Sequence, residues 1–347
     1  MAFTCQRPRS RAAVSFREKL RGKAPGRILL FILLTLSLAA CGSGGRSEGA
    51  VPSENAAEAV PDSAPVSAGI LQQPRVSYLG PEGTYTEEAA RFFFPAGDFQ
   101  PKDSVPAAIA DVREGSADYA VIPQENTLGG SVTGYMDALI AEKDVYVVGE
   151  VILPISQTLM ALPGTDLGDI RTVCSHAQGL AQSETWREAH LPDAAVKEMP
   201  STAAAASYVA ESGDRSVAAI AAPGAAELYG LAVLAENVQI TDTNRTRFYV
   251  LSSSRLKEEG KAPTNAVFIA SCEASRIDDI IVEIHRTGLE FVALHDRPEG
   301  SRLGTYHYII EVTEESGLED GLLAELAAIP GLRCLGSFNV MEKSPAA

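Results

Sequence analysis

Polar residues that could bind an anion or donate a proton fall into five clusters along the chain. The clusters are Gly80 to Ala90, Val121 to Val132, Cys174 to Gln182, Met199 to Ala206 and Asn244 to Phe248. Each cluster lies where a predicted strand ends or a predicted helix begins. Such positions suit an anionic ligand, because helix N-termini add backbone N–H donors. Taken alone, each cluster also has a simpler explanation as a turn or a helix cap.

The elements that must position these clusters alternate between strands and helices from Arg75 to Ser253. One strand is predicted to end at Pro123 and another to begin at Phe248. Thr86 is predicted to cap the first helix, and a single helix is predicted from His176 to Ala189. The alternation predicts α/β architecture with largely parallel sheets. Ligands bind such sheets at the carboxyl ends of the strands.

The pattern changes after the charged run at residues 257–261. From Asn265 to Val340 the order is strand, helix, two strands, helix and strand. This order predicts a ferredoxin-like βαββαβ unit over residues 262–342. The topology alone implies no function.

Composition and charge restrict the class of protein. The 347 residues carry a formal net charge of −16, which argues against a general nucleic-acid binder, since such a protein needs a basic surface. Residues 1–40 are the exception, with eight Lys and Arg against Glu18 alone. A basic head followed by the apolar run Ile28 to Ala40 predicts an export signal at residues 1–40. The run is shorter than the ~20 residues that a membrane span needs.

The end of this apolar run, Leu38-Ala39-Ala40-Cys41, resembles a bacterial lipoprotein signal. Cleavage before Cys41 and lipidation of that cysteine would anchor an exported protein to the outer face of a bacterial membrane. If the leader is not used, the protein would be cytoplasmic. A flexible linker rich in Gly, Ser, Ala and Pro is predicted at residues 41–73.

The remaining cysteines give no metal signal. Cys5 lies in the leader, and Cys174, Cys272 and Cys334 show no CxxC spacing and no neighbouring histidines. Buried thiols are predicted for these last three. A disulfide between Cys272 and Cys334 is the alternative if they lie on neighbouring strands.

In their order along the chain, the clusters resemble the motifs of the prephenate dehydratase family. The matching segments are Gly80-Pro81-Glu82-Gly83-Thr84-Tyr85-Thr86-Glu87-Glu88-Ala89-Ala90, Pro123-Gln124-Glu125-Asn126-Thr127, Ser175-His176-Ala177-Gln178, Ser201-Thr202-Ala203 and Thr246-Arg247-Phe248. The resemblance is strong over residues 75–255 and weak over residues 264–340.

The resemblance implies a two-lobed catalytic domain, similar to a periplasmic binding protein, at residues 74–255. Lobe one would comprise residues 74–148 and 246–255, and lobe two residues 149–240. The C-terminal unit resembles the family's regulatory ACT domain, which binds phenylalanine in relatives.

The implied reaction is the decarboxylating dehydration of prephenate to phenylpyruvate in phenylalanine biosynthesis. Aromatisation drives it, so no cofactor or metal is expected. The enzyme must hold a dianion and help a hydroxyl to leave. The resemblance assigns Thr246 as the catalytic donor. The substrate-binding residues it implies are Asn126, Thr127, Ser175, Gln178, Ser201, Thr202, Arg247 and Phe248.

Three residues of the motifs have roles that stay open. Arg247 could pair with a substrate carboxylate, or it could tie the two lobes together through an acidic partner. Glu125 would repel a dianion, so an orienting or hydrogen-bonding role is favoured over acid catalysis. His176 is a candidate for direct chemistry.

The chain departs from the family pattern at several positions. Gln124 replaces a branched apolar residue, and Ala177 replaces a proline. The regulatory positions implied by the resemblance are Ser275, Arg276, His295, Asp296, Arg297 and Pro298. Of these, only Arg297 and Pro298 retain the expected type, which predicts weak or no phenylalanine binding. The unit would then serve assembly into a homodimer or homotetramer.

Two other functions fit the same motifs. One is an arogenate dehydratase, because arogenate differs from prephenate only at a remote amino group. The other is a non-catalytic solute-binding lipoprotein, because lobed receptors often carry the same lipid signal. Thr246 together with the other four clusters favours the enzyme.

Overall fold

The computed structural model describes residues 66–257 and 260–344. The predicted export signal, Cys41 and most of the predicted linker lie outside the described residues. The linker prediction is wrong at its end, because Val66–Ala68 forms a strand, β1. This strand pairs in parallel with Arg255–Lys257.

The first lobe is a seven-stranded sheet with three helices against it. In chain order it contains β2 (Arg75–Leu79), α1 (Tyr85–Phe93), β3 (Asp98–Lys102), α2 (Val105–Glu114), β4 (Tyr119–Asn126), β5 (Gly130–Ser131), α3 (Thr133–Ala141) and β6 (Tyr146–Pro154). The capping residues of α2 explain where this helix begins and ends. Ser104 accepts a hydrogen bond from the Ala107 N–H, and Gly115 adopts φ +74°, which glycine allows at no steric cost.

The second lobe consists of a five-stranded sheet and the helices that connect its strands. It contains β7 (Thr158–Ala161), a 3₁₀ turn at Leu167–Asp169, β8 (Thr172–Ser175), α4 (Ala177–Gln182), α5 (Glu184–His190), β9 (Ala195–Glu198), α6 (Thr202–Ser212), β10 (Val217–Ala221), α7 (Gly224–Leu228) and β11 (Ala232–Ala235). The chain then returns to the first lobe through β12 (Arg245–Ser252) and β13 (Arg255–Lys257).

The C-terminal unit follows. It contains β14 (Asn265–Glu273), a 3₁₀ turn at Ala274–Arg276, α8 (Ile277–Arg286), β15 (Glu290–Pro298), β16 (Thr305–Thr313), α9 (Asp320–Ala327), β17 (Leu332–Phe338) and β18 (Val340–Glu342). Its antiparallel sheet has the order β15-β16-β14-β17, the order of a ferredoxin-like unit.

The two lobe sheets are mixed, so the prediction of largely parallel sheets is wrong. In the first lobe the order is β18-β6-β12-β4-β2-β3, with β5 beside β4. Strand β2 runs parallel to β3 and β4, whereas β12 runs antiparallel to both β4 and β6. The reason is the double crossing: β6 leads out of the first lobe, and β12 brings the chain back in the opposite direction.

The two faces of the first-lobe sheet have different partners. One face packs against α1, with Phe248 and Val250 of β12 in its core. The other packs against α2, α3 and the C-terminal unit, with Tyr249 and Leu251 in its core. Side chains alternate along a strand, so each residue of β12 belongs to one face or the other.

The C-terminal unit is joined to the first lobe by its last strands. A Cβ atom on Gly336 of β17 would lie 2.0 Å from the carbonyl oxygen of Val147, so glycine allows the two backbones to meet. The following strand, β18, then extends the first-lobe sheet in parallel beside β6.

Several predicted boundaries need correction. Helix α1 begins at Tyr85 with Thr84 as its cap, since the Thr84 hydroxyl accepts from the Glu87 N–H. The predicted helix over residues 176–189 is two helices, separated at Ser183. The first-lobe sheet includes β6 up to Pro154, beyond the predicted crossing near residue 148.

The register of the paired strands does not place Cys272 and Cys334 opposite each other. They lie on the neighbouring strands β14 and β17, but Cys334 is opposite Phe268, four residues along the strand from Cys272. Cys174 and Cys334 are buried, and Cys272 is half-buried. Within the described part of the chain, no helix is long and apolar enough to cross a membrane.

Candidate active site

Thr246 lies near the start of β12, opposite Asn126 of β4. One residue further along β12 the register shifts, which leaves Gln124 as an extra residue in β4. Such a bulge re-aims the side chains around it. Gln124 and Glu125 both bond to groups on the C-terminal-unit face, and Asn126 turns to Thr246 on the other. The strand predicted to end at Pro123 therefore continues, because the bulge carries it past the proline.

The Asn126 amide is the centre of the hydrogen-bond network around Thr246. Its Nδ2 donates to Thr246 Oγ1 at 2.9 Å and to Asn244 Oδ1 at 2.8 Å. Its Oδ1 accepts from the backbone N–H groups of Leu128 and Gly129 at 3.0 and 2.9 Å. Because those two donors require an oxygen, they fix the orientation of the amide and direct Nδ2 at the threonine.

The second lobe adds one donor to this network. Gln178 Nε2 donates to Asn126 Oδ1 at 2.9 Å and so connects α4 to the first lobe. A Cβ atom on Gly129 would lie 2.9 Å from that Nε2, so glycine leaves room for the glutamine. The amide that orients Thr246 thus takes hydrogen bonds from both lobes.

The other predicted residues of the second lobe lie around the start of α4 and α6. Ser175 is fully buried, and its hydroxyl donates to the Ile220 carbonyl at 2.6 Å. Ser201 caps α6, where its hydroxyl accepts from the Ala204 N–H. A Cβ atom on Gly179 would lie 2.5 Å from Ser175 Oγ and 3.4 Å from the Thr202 methyl carbon, so the two helix starts are adjacent.

His176 and Thr127 also take local roles in this structure. His176 is half-buried and caps α4, with its Nδ1 accepting from the Gln178 N–H at 3.3 Å. Thr127 is exposed, and its hydroxyl donates to the Arg245 carbonyl at 3.1 Å. Arg245 in turn bonds through its guanidinium to the carbonyls of Asp242 and Asn244.

Sequence reasoning named the cluster that contains Asn244 but gave this residue no role. Its side chain is 1% exposed and it accepts from Asn126 at 2.8 Å. The available signal was its spacing, since Asn244 and Thr246 are two residues apart and face the same side of an extended chain.

Two further contacts join the lobes near the glycine-rich loop of the first cluster. The Tyr229 hydroxyl donates to the Glu82 carbonyl at 2.7 Å. A Cβ atom on Gly83 would lie 3.0 and 3.1 Å from the side chains of Leu228 and Tyr229. The loop between β2 and α1 therefore packs against α7 of the second lobe.

Arg247 lies on the opposite face of β12 from Thr246. Its guanidinium binds Glu150 through Nε and Nη2 at 2.6 and 2.9 Å, Glu311 through Nη2 at 2.5 Å and Glu125 through Nη1 at 3.2 Å. The predicted substrate contact of Arg247 is therefore replaced by carboxylate contacts. Arg247 therefore has acidic partners, but these lie in the first lobe and in the C-terminal unit, so Arg247 does not tie the two lobes together.

Burial governs the electrostatics of this charged cluster. The side chains of Glu150 and Glu311 are 1% and 3% exposed, and that of Arg247 is 16% exposed. Burial raises the pKa of Glu150, although Arg247 opposes the shift. Burial alone would lower the pKa of Arg247, but its bonds to Glu150 and the charge of Glu311 raise that pKa above its usual value.

The prediction that Phe248 contacts the substrate is wrong. Its ring is 1% exposed and packs in the core between the first-lobe sheet and α1. The physical reason is strand alternation within an apolar face, where Phe248 is followed by Val250. Glu125 is an ion-pair partner of Arg247.

Several regulatory positions implied by the resemblance are engaged with the first lobe. Arg297 binds the Asp137 carboxylate of α3 through two bonds of 2.7 and 2.6 Å. His295 Nδ1 lies 2.9 Å from the Ser131 hydroxyl of β5.

The remaining regulatory positions lie in other surroundings. Ser275 lines a cavity of about 350 Å³ near the turn between β15 and β16. Arg276 lies 3.7 Å from Asp279 on α8. Asp296 and Pro298 are exposed.

Fold and site together define a two-lobed α/β protein. Its neutral amides and hydroxyls converge on one threonine at the junction of the lobes. Comparisons with known proteins identify the family within this class. Residues 76–255 match the family model of prephenate dehydratase.

Relatives and solved structures agree with the family model. The prephenate dehydratase of Amycolatopsis methanolica is 36% identical over 271 residues, which cover 76% of this chain and 88% of that protein. The crystal structure of the Arthrobacter aurescens prephenate dehydratase in complex with L-Phe is 31% identical, with a TM-score of 0.68 and coverage of 79% of this chain and 92% of that chain. The Staphylococcus aureus enzyme, at 24% identity and TM-score 0.64, covers 76% of this chain and all of that chain and shows the same fold.

The chain belongs to the prephenate dehydratase family. Its activity is that of a prephenate dehydratase, a hydro-lyase of aromatic amino acid biosynthesis that acts on prephenate. The family predicted from the order of the five clusters is thereby confirmed.

Proposed function

We propose that Thr246 donates a hydrogen bond, and finally a proton, to the hydroxyl that leaves prephenate. The observation that carries this role is the 2.9 Å bond from Asn126 Nδ2 to Thr246 Oγ1. A hydroxyl has one proton and two acceptor lone pairs. Since one lone pair is taken by the amide, the Thr246 proton remains to be donated to the substrate.

The bonding electrons move within the substrate, so the reaction needs little from the protein beyond this proton. The pair of the bond to the ring carboxylate moves into the ring as carbon dioxide leaves, and the pair of the C4–oxygen bond leaves with the oxygen. That oxygen takes the Thr246 proton and departs as water, while the ring becomes aromatic, and a proton from solvent restores the Thr246 hydroxyl. The protein must therefore hold the dianion in one orientation and support the leaving oxygen.

Neutral donors would hold the dianion. The Gln178 amide lies beside Asn126 and is exposed. Helix α6 begins at Thr202, adjacent to α4, and the N–H groups at a helix start favour anions. On the face that carries Thr246 these groups bear no charge, so they do not repel the substrate.

Turnover by the purified full chain tests this function. Prephenate is added and phenylpyruvate is followed by its absorbance in alkali, with arogenate in a parallel sample. The proposal expects phenylpyruvate from prephenate. No turnover of either substrate at micromolar enzyme would overturn it in favour of a solute-binding role.

We infer that the C-terminal unit is an ACT-type domain with little affinity for phenylalanine. Its topology supports the first part, and the contacts of His295 and Arg297 with the first lobe support the second. The Arthrobacter relative was solved with L-Phe bound. Calorimetric titration of the full chain with phenylalanine should give little heat, whereas stoichiometric binding would overturn the inference.

We propose a homodimer or homotetramer assembled through the C-terminal unit. Phe291, Val292 and Leu294 on the edge strand β15 support this, since they are 36%, 44% and 45% exposed. Light scattering of the full chain should give a multiple of 36.7 kDa. A monomer at micromolar concentration would contradict it.

We propose that the protein is exported and lipid-anchored at Cys41. The support is the order of basic head, apolar run and Leu38-Ala39-Ala40-Cys41 in the sequence. Labelling of expressing cells with a fatty acid should mark the wild type and not Cys41→Ser. An unlabelled wild type in the soluble fraction would place the enzyme in the cytoplasm.

A further inference from the structure

Glu311 lies on β16 of the C-terminal unit, yet three first-lobe groups donate hydrogen bonds to it. Its Oε1 accepts from the Tyr249 hydroxyl at 2.7 Å and from Gln124 Nε2, and its Oε2 accepts from Arg247 Nη2 at 2.5 Å. The side chain is 3% exposed. A carboxylate buried to this degree needs all of these donors, so it constrains where they lie.

All three donors lie on the strands that carry the active site, with Arg247 and Tyr249 on β12 and Gln124 on β4. Arg247 is next to Thr246 on β12. Gln124 is the bulge residue of β4, and this bulge turns Asn126 toward Thr246. One side chain of the C-terminal unit therefore holds both strands at the point where Asn126 and Thr246 meet.

We propose that Glu311 is a positioning residue for the dehydratase reaction, supplied to the first lobe by the C-terminal unit. The proposal rests on the proposed roles of Thr246 and Asn126. Glu311 does not act on the substrate. It acts through Gln124 and Arg247, whose places on the two strands set the 2.9 Å bond between Asn126 and Thr246.

The identity of residue 124 fits this role. Gln124 stands where the family resemblance leads one to expect a branched apolar residue. An apolar side chain would leave Glu311 Oε1 with one donor fewer, whereas the glutamine amide supplies it. Gln124 and Glu311 thus form a matched pair, and the side chain of Gln124 is fully buried.

The test compares Glu311→Gln with Asp137→Asn in the full chain. Both variants remove a carboxylate charge that joins the C-terminal unit to the first lobe. The Asp137 carboxylate, however, binds Arg297 rather than a residue of β4 or β12. Steady-state kinetics with prephenate and a thermal unfolding curve are measured for each variant.

We expect Glu311→Gln to lower kcat about 10- to 100-fold, the effect of a small displacement in an active site. KM should change by less than about 3-fold, since the groups that hold the substrate remain. Asp137→Asn should keep kcat within about 2-fold and should lower Tm less than Glu311→Gln does, because the Asp137 ion pair is partly exposed. This difference in kcat between the two variants separates a positioning role of Glu311 from a general weakening of the contact between the C-terminal unit and the first lobe.

A second variant covers the case in which Glu311→Gln does not fold. Gln124→Leu combined with Glu311→Leu replaces the buried polar pair by apolar groups, which buried charges often tolerate without loss of stability. We expect this double variant to fold and still to lose kcat about 10-fold or more.

The outcomes are distinct. If the wild type turns over prephenate and Thr246→Val does not, but both folded Glu311 variants keep wild-type kcat, then Glu311 has no positioning role and the assignment of Thr246 stands. If kcat falls only in proportion to the folded fraction, Glu311 has a structural role alone and the proposal is overturned. If the wild type itself shows no turnover, the proposed function and this proposal both fail.

Discussion

Thr246 and Arg247 are neighbours in the chain but lie in opposite environments on the two faces of β12. On one face Thr246 meets amides and hydroxyls, and the hydrogen bonds among them involve no charged side chain. On the other, Arg247 binds three carboxylates, two of them almost fully buried. The two faces have the same backbone and differ only in the side chains that alternation presents to each.

The two faces differ in where the sheet carries its charged side chains. Carboxylates on the face of Thr246 would repel a dianion, and there the donors are neutral. The charges of Glu125, Glu150 and Glu311 lie on the far face of the sheet, where Arg247 offsets them. We propose that the neutral face performs the chemistry and the charged face holds the strands in place.

The largest expected effect is on turnover. Thr246→Val removes the hydroxyl but keeps the shape, so kcat should fall about 10²- to 10⁴-fold, as for loss of a proton donor. The free energy of unfolding should change by less than about 1 kcal/mol, since one net hydrogen bond is lost. Kinetics and urea unfolding measure the two. Thr246→Ser, which keeps the hydroxyl, is the control. A valine variant with near-normal kcat would contradict the role of the Thr246 hydroxyl in turnover.

The next effect is on stability. Arg247→Met leaves buried carboxylates without their cation, which should lower the free energy of unfolding by about 3–5 kcal/mol. Arg75→Met is the control, because its ion pair with Asp118 is partly exposed and screened by water, so its loss should change stability little. Urea unfolding of both variants decides the point. Equal, small losses would show that the charged face does not hold the strands.

A smaller effect is expected at the joint of the lobes. Gln178→Ala removes the donor that reaches Asn126 across the lobes, so kcat/KM should fall about 5- to 20-fold, the value of one or two kcal/mol of hydrogen bonding. Stability should hardly change, because Gln178 is exposed. Gln100→Ala, which removes a bond within the first lobe to Asp98, should leave kcat/KM unaltered. Equal kcat/KM values for the two variants would show that Gln178 of the second lobe does not contribute to the hydrogen-bond network around Thr246.

The smallest effect is a pH dependence confined to the charged face. Burial raises the pKa of Glu150 above its usual 4.5, and Arg247, Glu311 and Glu125 are the charged groups around it. A carboxyl with a raised pKa contributes stability that is present below pH 4.5 and is lost as the pH rises through its folded-state value. Relative to Glu150→Gln, the wild type should therefore lose stability as the pH rises above 4.5. A difference that grows in favour of the wild type over this range would contradict the sign.

Much of the site could be predicted from the sequence, because its residues lie in short motifs. The resemblance of their motifs to the family identified Thr246, Asn126 and Gln178, and the structure brings the three together at the lobe junction. The alternation of strands and helices likewise indicated α/β lobes and a βαββαβ unit.

What the sequence missed depends on pairing between distant segments. The bulge at Gln124 arises from the register of β4 against β12, and no local pattern marks it. The partner of Arg247 on β16 is 64 residues away in the chain and in another unit. Phe248 was assigned to the substrate because it belongs to the motif, although strand alternation alone would have placed it in the core.

The separation of the two faces can be tested most directly by a crystal structure of the chain with an unreactive prephenate analogue that keeps the C4 hydroxyl. We expect Thr246 Oγ1 within about 3 Å of that hydroxyl oxygen, with Asn126 still bonded to Thr246 and Arg247 still bonded to Glu150 and Glu311. An Arg247 guanidinium that has left its carboxylates for the analogue, or a Thr246 hydroxyl out of hydrogen-bond range, would contradict it.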